Sequence, residues 1–496
     1  MKWDRDELLC KNLLTEPKPE LGTILVTGAT GYVGGRLVPE LLARGYKVRV
    51  MARVSSDELK GRWPNVEVIV ADALKPEQLS KALSGVYAAY YLIHSLLLGP
   101  KKFEDADVKA AYNFRNTAIK SGLHRIIYLG ALGEYGTGLS PHLKSRNQVA
   151  EILNSGDVST TILRAAIVIG SGSASYEILK NLVLRSPVFL LPHWAKTKCQ
   201  PISIRTLINV LIGVMEKEET AGKAYDVGGM EILTYEKMLR IMSELLNKKK
   251  IFIHTVFKNF KVYSYFASLL TPVSASLIKS LIQSGNNDVL CKSENNLPPS
   301  MYRPISFKEA LLRAMSREEQ DAVHTRWSDE YPRAHELAIK LDELKKPPYY
   351  ISTYSFLSKK NKGALFASFC KIGGNEGWFN SNWMWRLRGI LDSMLMGAGT
   401  SRGRRSSNVL RIHDVVGFFR VENIVENERL LLRAEMKLPG KAWLEFKIEE
   451  EGNKNNLIVT AYFEPYNWTG KIYWYNFLPF HYFIFTNLLK QIDKRS

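Results

Sequence analysis

Two hydrophobic patterns follow each other along the chain, and they change near Pro348. In the first part, short apolar runs rich in Val, Ile and Tyr alternate with stretches whose apolar residues recur at helical spacing. Uninterrupted apolar runs are typical of strands buried on both faces of a sheet. Strands that alternate with helices predict a parallel, doubly wound α/β sheet. The predicted strands are 23–27, 47–52, 66–71, 85–95, 125–130 and 159–169.

The second part of the chain shows strand-like runs without intervening helices, at 408–421, 430–436, 442–448 and 457–463. The aromatic segment Ile472–Leu489 follows, and its Asn, His and Pro residues favour a buried helix over a membrane span. This order is compatible with an α+β domain in which a curved sheet grips a helix. We therefore predict an N-terminal arm (1–20), a Rossmann domain with a substrate lobe (21–320), a linker (321–348) and a C-terminal domain (349–496).

A glycine-punctuated loop joins the first predicted strand to the helical stretch from Tyr32 to Ala43. Its glycines are Gly28, Gly31 and Gly34. Glycine can adopt positive φ in a tight turn, and without a Cβ it lets a phosphate approach backbone N–H groups at a helix start. Strand, loop and helix together predict dinucleotide binding. The residues expected to contact the cofactor here are Gly28, Thr30, Gly31, Tyr32, Val33 and Gly34.

The loop Gly-Ala-Thr-Gly-Tyr-Val-Gly resembles the GxxGxxG loop of extended and atypical (NmrA-like) short-chain dehydrogenases/reductases. From Leu21 onward the chain resembles a bacterial group that fuses such a module to a START-like domain of unknown function. The resemblance implies an NAD(P) cofactor. It also implies that Asp72, with Ala73, contacts the adenine, and that His94 and Ser95 lie near the nicotinamide ribose. Asp72 could equally cap the turn in which it lies.

The end of the second strand bears on cofactor choice. Enzymes that prefer NAD tend to carry an acid about 20 residues past the glycine loop, where it binds the ribose 2′-hydroxyl. This chain has Arg53 there, and the next acid is Asp57. A guanidinium suits a 2′-phosphate, so NADP is favoured over NAD. The alternative is that Arg53 is a solvated loop residue.

The catalytic Ser-Tyr-Lys set expected from the resemblance is not present as such. Gly130 or Ala131 occupies the Ser position, His142 stands at the Tyr position, and Arg146 stands at the Lys position. A spacing of four residues places His142 and Arg146 on one helix face. The guanidinium should disfavour the imidazolium, so His142 could be a neutral base, whereas Arg146 could grip ribose or phosphate but cannot relay protons.

The net charge and the cysteine content indicate which classes of molecule the protein is expected to bind. The formal net charge of +19 favours anionic partners, which include a phosphorylated cofactor and a membrane surface. Nucleic acid is disfavoured because no helix-turn-helix or zinc-finger pattern accompanies the basic residues. Four dispersed cysteines predict neither a metal site nor disulfides and suit a cytoplasmic protein, as does an N-terminus without an apolar signal segment.

Two functions remain open on the sequence. One is an NADP-dependent oxidoreductase that transfers hydride to an apolar carbonyl or quinone-like small molecule. The other is a non-catalytic NADP sensor or assembly protein that binds a hydrophobic ligand or partner. We also expect an apolar cavity in the C-terminal domain, with Trp378, Trp385, Arg388 and Asp392 in its wall.

Overall fold

The computed structural model describes most of the chain, in two compact units. The described residues are 9–10, 13–53, 59, 62–94, 103–133, 140–256, 259–273, 275–285, 288–298, 301–319, 325–330, 340–344, 346–373, 377–379, 382–394, 404, 406 and 409–496. The first unit comprises Met1–Leu270 and Ser276–Glu330. The second comprises Thr271–Ala275 and Tyr331–Ser496.

The strands and helices along the first unit alternate as the hydrophobic pattern predicts. The strands are β1 Thr23–Thr27, β2 Lys47–Ala52, β3 Glu67–Val70, β4 Val86–Tyr91, β5 Arg125–Ala131, β6 Ser159–Ala165, β7 Val168–Ile169, β8 Val188–Leu191, β9 Lys198–Cys199, β10 Ile202–Ser203, β11 Ala224–Val227, β12 Leu233–Thr234 and β13 Ile251–His254. The helices are α1 Gly34–Ala43, α2 Pro76–Leu83, α3 Phe103–Lys120, α4 Pro141–Asn154, α5 Ala174–Arg185, α6 Ile204–Glu216, α7 Tyr235–Leu245, α8 Phe260–Leu270, α9 Ala275–Ser284 and α10 Phe307–Glu319.

Seven parallel strands form the central sheet, in the order β3-β2-β1-β4-β5-β6-β11. The predicted parallel sheet is therefore confirmed. Ile24, Leu25 and Val26 of β1 are fully buried between the two helical layers, which explains their uninterrupted apolar run. The strand order reverses between β1 and β4, so a crevice opens at their carboxyl ends, where doubly wound sheets bind ligands.

The N-terminal residues predicted as a polar arm are anchored to the sheet domain. The Glu40 carboxylate accepts hydrogen bonds from the backbone N–H groups of Leu9 (2.6 Å) and Cys10 (3.0 Å). Farther along, the Thr15 hydroxyl donates to Glu216, which also pairs with Arg44 at 2.7 Å. Buried carboxylates therefore connect the described part of this arm to α1 and α6.

Residues 325–330, within the range predicted as a linker, pack onto the first unit. The Thr325 hydroxyl donates to the carbonyl of Tyr32 at 2.9 Å and accepts from Arg36 Nε at 2.9 Å. Arg326 pairs with Glu177 at 2.8 Å, and the two side chains are nearly inaccessible to solvent. Through Thr325, this segment thus fixes the position of Tyr32 in the glycine loop.

The second unit contains a six-stranded antiparallel sheet in the order β14-β19-β18-β17-β16-β15. Its strands are β14 Tyr350–Ser358, β15 Val415–Val416, β16 Phe419–Val425, β17 Arg429–Ala434, β18 Gly440–Glu451 and β19 Lys454–Pro465. Its helices are α11 Lys362–Phe369, α12 Asn382–Met394 and α13 Trp468–Lys494. The strand predicted at 408–421 is wrong in its first part, because residues 412–413 form a turn and pairing begins at Val415. Short 3-10 turns elsewhere in the chain are Pro19–Leu21, His193–Lys196, Glu218–Thr220, Ser293–Asn295, Trp327–Glu330 and Leu341–Glu343.

Helix α13 packs against β14 and β19 on one face only. Trp474, Phe485 and Leu488 are buried there, whereas Tyr475 and Phe483 are exposed, so the prediction of a buried helix holds for one face alone. No helix in the described ranges has the length and apolar character needed to cross a membrane.

The residues expected to line a C-terminal cavity contact one another or the backbone of this unit, and the cavity itself stays a prediction. Trp378 stacks on Trp385 with ring centroids 4.1 Å apart. The buried Asp392 carboxylate accepts from the backbone N–H of Lys437 at 2.7 Å, and Arg388 donates to the Lys437 carbonyl at 3.3 Å. The large cavity that the structure does show lies in the first unit.

Candidate functional site

The glycine loop between β1 and α1 has the geometry of a diphosphate cradle. Gly28 has a φ of +62°, and a Cβ there would lie 2.6 Å from the carbonyl oxygen of Leu92. A Cβ on Gly34 would lie 2.4 Å from the carbonyl oxygen of Gly28. No side chain caps the first turn of α1, whose N-cap residue is Val33. The N–H groups of this turn are therefore suited to an anion, and the loop fits the diphosphate of a dinucleotide.

The residues expected at the adenosine end lie at the carboxyl ends of β2 and β3. Arg53 directly follows β2 and is exposed to solvent. The Asp72 carboxylate accepts from the backbone N–H of Leu74 at 3.0 Å, as the turn-capping alternative requires. The carbonyl of Ala73 accepts from Asn113 Nδ2 at 3.0 Å. The adenine contacts of Asp72 and Ala73 stay a prediction.

His94 and His142 meet at the carboxyl ends of the central strands. His94 follows β4, and His142 is the second residue of α4, whose N-cap Ser140 accepts from the backbone N–H of Leu143 at 3.3 Å. The two Nε2 atoms are 3.3 Å apart, with the rings tilted by 44°. His94 was expected near the nicotinamide ribose, and the structure shows a direct partner for it. Ser95, expected beside it, lies outside the described residues.

Asp107 on α3 extends this pair, and the sequence reasoning missed it. Its Oδ2 is 3.5 Å from His94 Nδ1, and the side chain is almost fully buried. Asp107 shares the buried face of α3 with Ala111 and Phe114, and the sequence carries no local signal for an acid at that position. Asp107, His94 and His142 thus form a chain that ends at α4.

The 3.5 Å separation of His94 Nδ1 and Asp107 Oδ2 does not meet hydrogen-bond geometry, so the proton positions on the two rings are a hypothesis. If His94 Nδ1 carries a proton toward the Asp107 carboxylate, its Nε2 bears a lone pair and accepts from His142 Nε2–H. His142 Nδ1 is then an unprotonated, basic nitrogen. Both His142 Nδ1 and His94 Nδ1 are buried and have no hydrogen-bond partner among the described residues.

Burial keeps the two imidazoles neutral. It lowers the pKa of His142 well below the ordinary 6.5, and the nearby His94 and Arg146 lower it further against the opposing effect of Asp107. The pKa of His94 is also lowered, mainly by burial, although Asp107 acts in the opposite direction. The effect expected of the Arg146 guanidinium has the predicted sign, but burial is the larger cause.

Arg146 lies on the same helix face as His142, and its guanidinium contacts the ends of two central strands. Its guanidinium donates to the carbonyl of Leu129 and, at 3.4 Å, to the carbonyl of Ile93. It also lies over the ring of Tyr128, 4.9 Å from the centroid. Arg146 therefore joins the ends of β4 and β5, and its contact with ribose or phosphate stays a prediction.

An apolar cavity of about 800 Å³ extends from the histidines into the first unit. Tyr32 and Val33 of the glycine loop contribute to its wall, together with His94 and His142. The remaining wall is almost entirely hydrophobic and comes from α5, α7, α8 and α9, with Leu179, Met238, Phe266 and Ile278 as examples. Ala131, at the position of the missing Ser, also lies in this wall. The arrangement suits a hydrophobic molecule whose reacting atom is close to both the loop and the histidines.

Two family models match separate parts of the chain. One, described as NAD(P)H-binding, matches residues 28–182. The other, described as a protein of unknown function (DUF2867), matches residues 346–488. The second family has no known function, so this match does not test the expectation of a START-like domain, which stays a prediction.

Curated relatives match only part of the chain. The chain is 24% identical to NADH dehydrogenase [ubiquinone] 1 alpha subcomplex subunit 9 of Arabidopsis thaliana, over 45% of this chain and 58% of the relative. It is 28% identical to the ceramide reductase of Caulobacter vibrioides over 36% and 55%. It is 26% identical to the divinyl chlorophyllide a 8-vinyl-reductase of Zea mays over 47% and 61%. The chain therefore spans less than two thirds of the length of each.

Among solved structures, the chain is similar to the Bordetella bronchiseptica enzyme WbmG in complex with NAD, at 13% identity and a TM-score of 0.49. That alignment covers 62% of this chain and 96% of WbmG. Residues 28–182, which match the NAD(P)H-binding family, lie in the unit whose parallel strand order is that of a Rossmann-type sheet.

Proposed function

We propose that the protein is an NADP(H)-dependent oxidoreductase that interconverts an apolar carbonyl compound and its alcohol. One observation carries the proposal: the basic nitrogen of His142 belongs to a ring that lines an apolar cavity whose wall also includes the glycine loop. A proton acceptor, a dinucleotide cradle and a hydrophobic binding site therefore meet at one place. A bound NADP(H) would supply or accept the hydride.

Residues of the protein would accept and donate the proton. In the oxidative direction, His142 Nδ1 accepts the hydroxyl proton of the alcohol while its Nε2–H remains shared with His94. The Asp107 carboxylate, 3.5 Å from His94, stabilises the positive charge that develops on the two rings. In the reductive direction, the same nitrogen returns a proton to the carbonyl oxygen. This chain of groups replaces the missing Tyr and Lys.

The low pKa of His142 fixes the pH dependence of each direction. At neutral pH the His142 ring is neutral, so it can accept the hydroxyl proton when the alcohol is oxidised. Carbonyl reduction needs the protonated ring and should become faster as the pH falls below 7. A reductase activity that is greatest at alkaline pH would contradict this assignment.

NADP is the cofactor that we favour. Arg53 is exposed directly after β2, where a 2′-phosphate would lie, and no acid occurs between Ala52 and Asp57. Two of the relatives are named as reductases, which agrees with a redox role for this chain. We also expect a cytoplasmic location, as the dispersed cysteines suggest.

The test is a screen of apolar ketones, enones and alcohols followed by NADPH absorbance, repeated with His142→Ala. The variant should lose 10²–10⁴-fold in kcat, roughly what a positioned proton-transfer group contributes, and should keep its NADPH affinity. His193→Ala is the matched control, because His193 is exposed and does not line the cavity. If the parent protein binds NADPH and an apolar ligand but transfers no hydride, the sensor function is favoured and the proposal is overturned.

A further inference from the structure

A two-stranded parallel ribbon beside the cavity presents an exposed apolar face. In β8 and β13, residues alternate between the two faces, and Ile251 pairs with Val188 while Ile253 pairs with Leu190. These four side chains, here called the ribbon face, are exposed to 60%, 37%, 47% and 58% respectively. On the opposite face, Phe189 stacks on Phe252 with centroids 5.2 Å apart. The opposite face of the ribbon is thus packed through Phe189 and Phe252, whereas the four branched apolar side chains of the ribbon face are exposed to solvent.

The ribbon face is continuous with the mouth of the cavity. Val188 and Leu190 belong both to the ribbon face and to the cavity wall. Phe266 of α8 also lines the cavity and is more than half exposed. A hydrophobic molecule could therefore move from this surface into the cavity along a continuous apolar path. Contiguous exposed apolar surface of this kind marks an interaction site.

Positive charge borders the ribbon face. Lys248 and Lys249 are exposed immediately before β13, and Lys261 is exposed on α8. The third lysine of the run, Lys250, donates to the carbonyl of Ser186 at 2.8 Å and so fixes the start of β13 against the end of α5. At the other end of β13, the Glu236 carboxylate is already paired with Arg240 and His254. Lysine stems can lie along apolar surface while their ammonium groups reach phosphates.

We infer that the ribbon face docks on the surface of a bilayer that contains anionic lipids and opens the cavity toward it. The apolar side chains would enter the headgroup region, and Lys248 and Lys249 would contact lipid phosphates. The inference rests on the proposed function in one respect, since it names a membrane as the source of the apolar substrate. Docking itself requires neither cofactor nor turnover.

Sedimentation with vesicles tests the docking. We expect the full chain to bind vesicles of phosphatidylcholine with phosphatidylglycerol, and to bind pure phosphatidylcholine vesicles much more weakly. Lys248→Gln with Lys249→Gln should weaken binding to the anionic vesicles by roughly thirtyfold, because each basic residue near such a surface contributes about fivefold. Ile251→Glu with Ile253→Glu should weaken binding to both kinds of vesicle by at least about tenfold. Neither isoleucine lines the cavity, so ligand binding in solution should be unchanged.

The matched control is Met230→Glu with Ile232→Glu. These residues are also two positions apart, are exposed to 62% and 55%, and lie outside the cavity wall. The control should bind vesicles as the parent does. The inference is overturned if the parent binds no anionic vesicles, which would assign the ribbon face to a protein partner, or if the control loses as much binding as the isoleucine variant. Because NADPH binding and hydride transfer are measured without vesicles, failure of docking and failure of the proposed function are distinguishable.

Discussion

The size of the apolar cavity predicts how ligand affinity should depend on chain length. A cavity of about 800 Å³ has room for on the order of 25 methylene-sized groups, at the roughly 30 Å³ that a water occupies in the liquid. Each methylene buried there should contribute about 0.8 kcal/mol, or about a fourfold gain in affinity. We expect straight-chain methyl ketones to bind more tightly with each added carbon until the chain reaches the mouth at Leu190.

The perturbation that tests this is Ala267→Trp. Ala267 is half-buried on α8 and lines the cavity, so an indole at this position would occupy space that a long ligand needs. Affinity for long ketones should fall more than tenfold, whereas short ketones and NADP should bind as before. Ala364→Trp is the matched control, because Ala364 is a half-buried helical alanine in the second unit, on α11.

Calorimetry in the presence of saturating NADP⁺ measures binding without turnover, because neither a ketone nor the oxidised cofactor can supply a hydride. Burial of the ketone chain should give a negative heat-capacity change that grows with chain length. Trp194, which lines the cavity, offers an independent fluorescence signal. An affinity that does not change with chain length would refute the reasoning. So would the same rise with length in the parent and in Ala267→Trp.

Three further predictions concern the cofactor and the second unit. Arg53→Ala should reduce the preference for NADP(H) over NAD(H) by roughly tenfold or more, since a charge-assisted hydrogen bond contributes about 1.5–3 kcal/mol, and equal affinities in the parent would contradict it. Burial lowers the pKa of His481 to about 4, so folding stability should fall by roughly 3 kcal/mol as the pH drops from 6.5 toward 4, and His481→Phe should remove this loss in urea unfolding. Arg420→Met should cost no more than about 3 kcal/mol, because the buried Glu435 carboxylate loses its ion pair at 2.7 Å but retains the one with Arg433 at 3.4 Å; the further change Glu435→Leu should restore part of the stability, and failure to do so would contradict the assignment.

Local features of the first unit could be predicted from the sequence because they depend on neighbours along the chain. The strand-loop-helix around Gly28 follows from apolar periodicity and glycine placement, and its Gly34 contact follows from the tight turn. The shared face of His142 and Arg146 follows from helical spacing. Such features require no knowledge of tertiary packing.

Features that depend on distant segments could not be predicted in the same way. Asp107 meets His94 only because α3 packs beside the end of β4, and nothing in the local sequence distinguishes it from a solvated acid. Arg146 donates to the backbone carbonyls of Leu129 and Ile93, contacts that depend on how the ends of β4 and β5 pack against α4 and that helical spacing alone does not predict. The apolar cavity of the first unit is lined by helices α5, α7, α8 and α9, which are far apart in the sequence, so no local pattern indicates it.

Tyr32 and Val33 belong both to the glycine loop and to the wall of the apolar cavity. Binding of a ligand at one of these places can therefore change the affinity for a ligand at the other. The Thr325 hydroxyl donates a hydrogen bond to the carbonyl of Tyr32 and fixes its position. The dinucleotide and the hydrophobic ligand would therefore contact the same rigid segment. By thermodynamic reciprocity, any factor by which the dinucleotide alters affinity for the hydrophobic ligand must equal the factor by which that ligand alters affinity for the dinucleotide. If that factor differs from one, a lipid-like molecule in the cavity would change how much cofactor the protein retains.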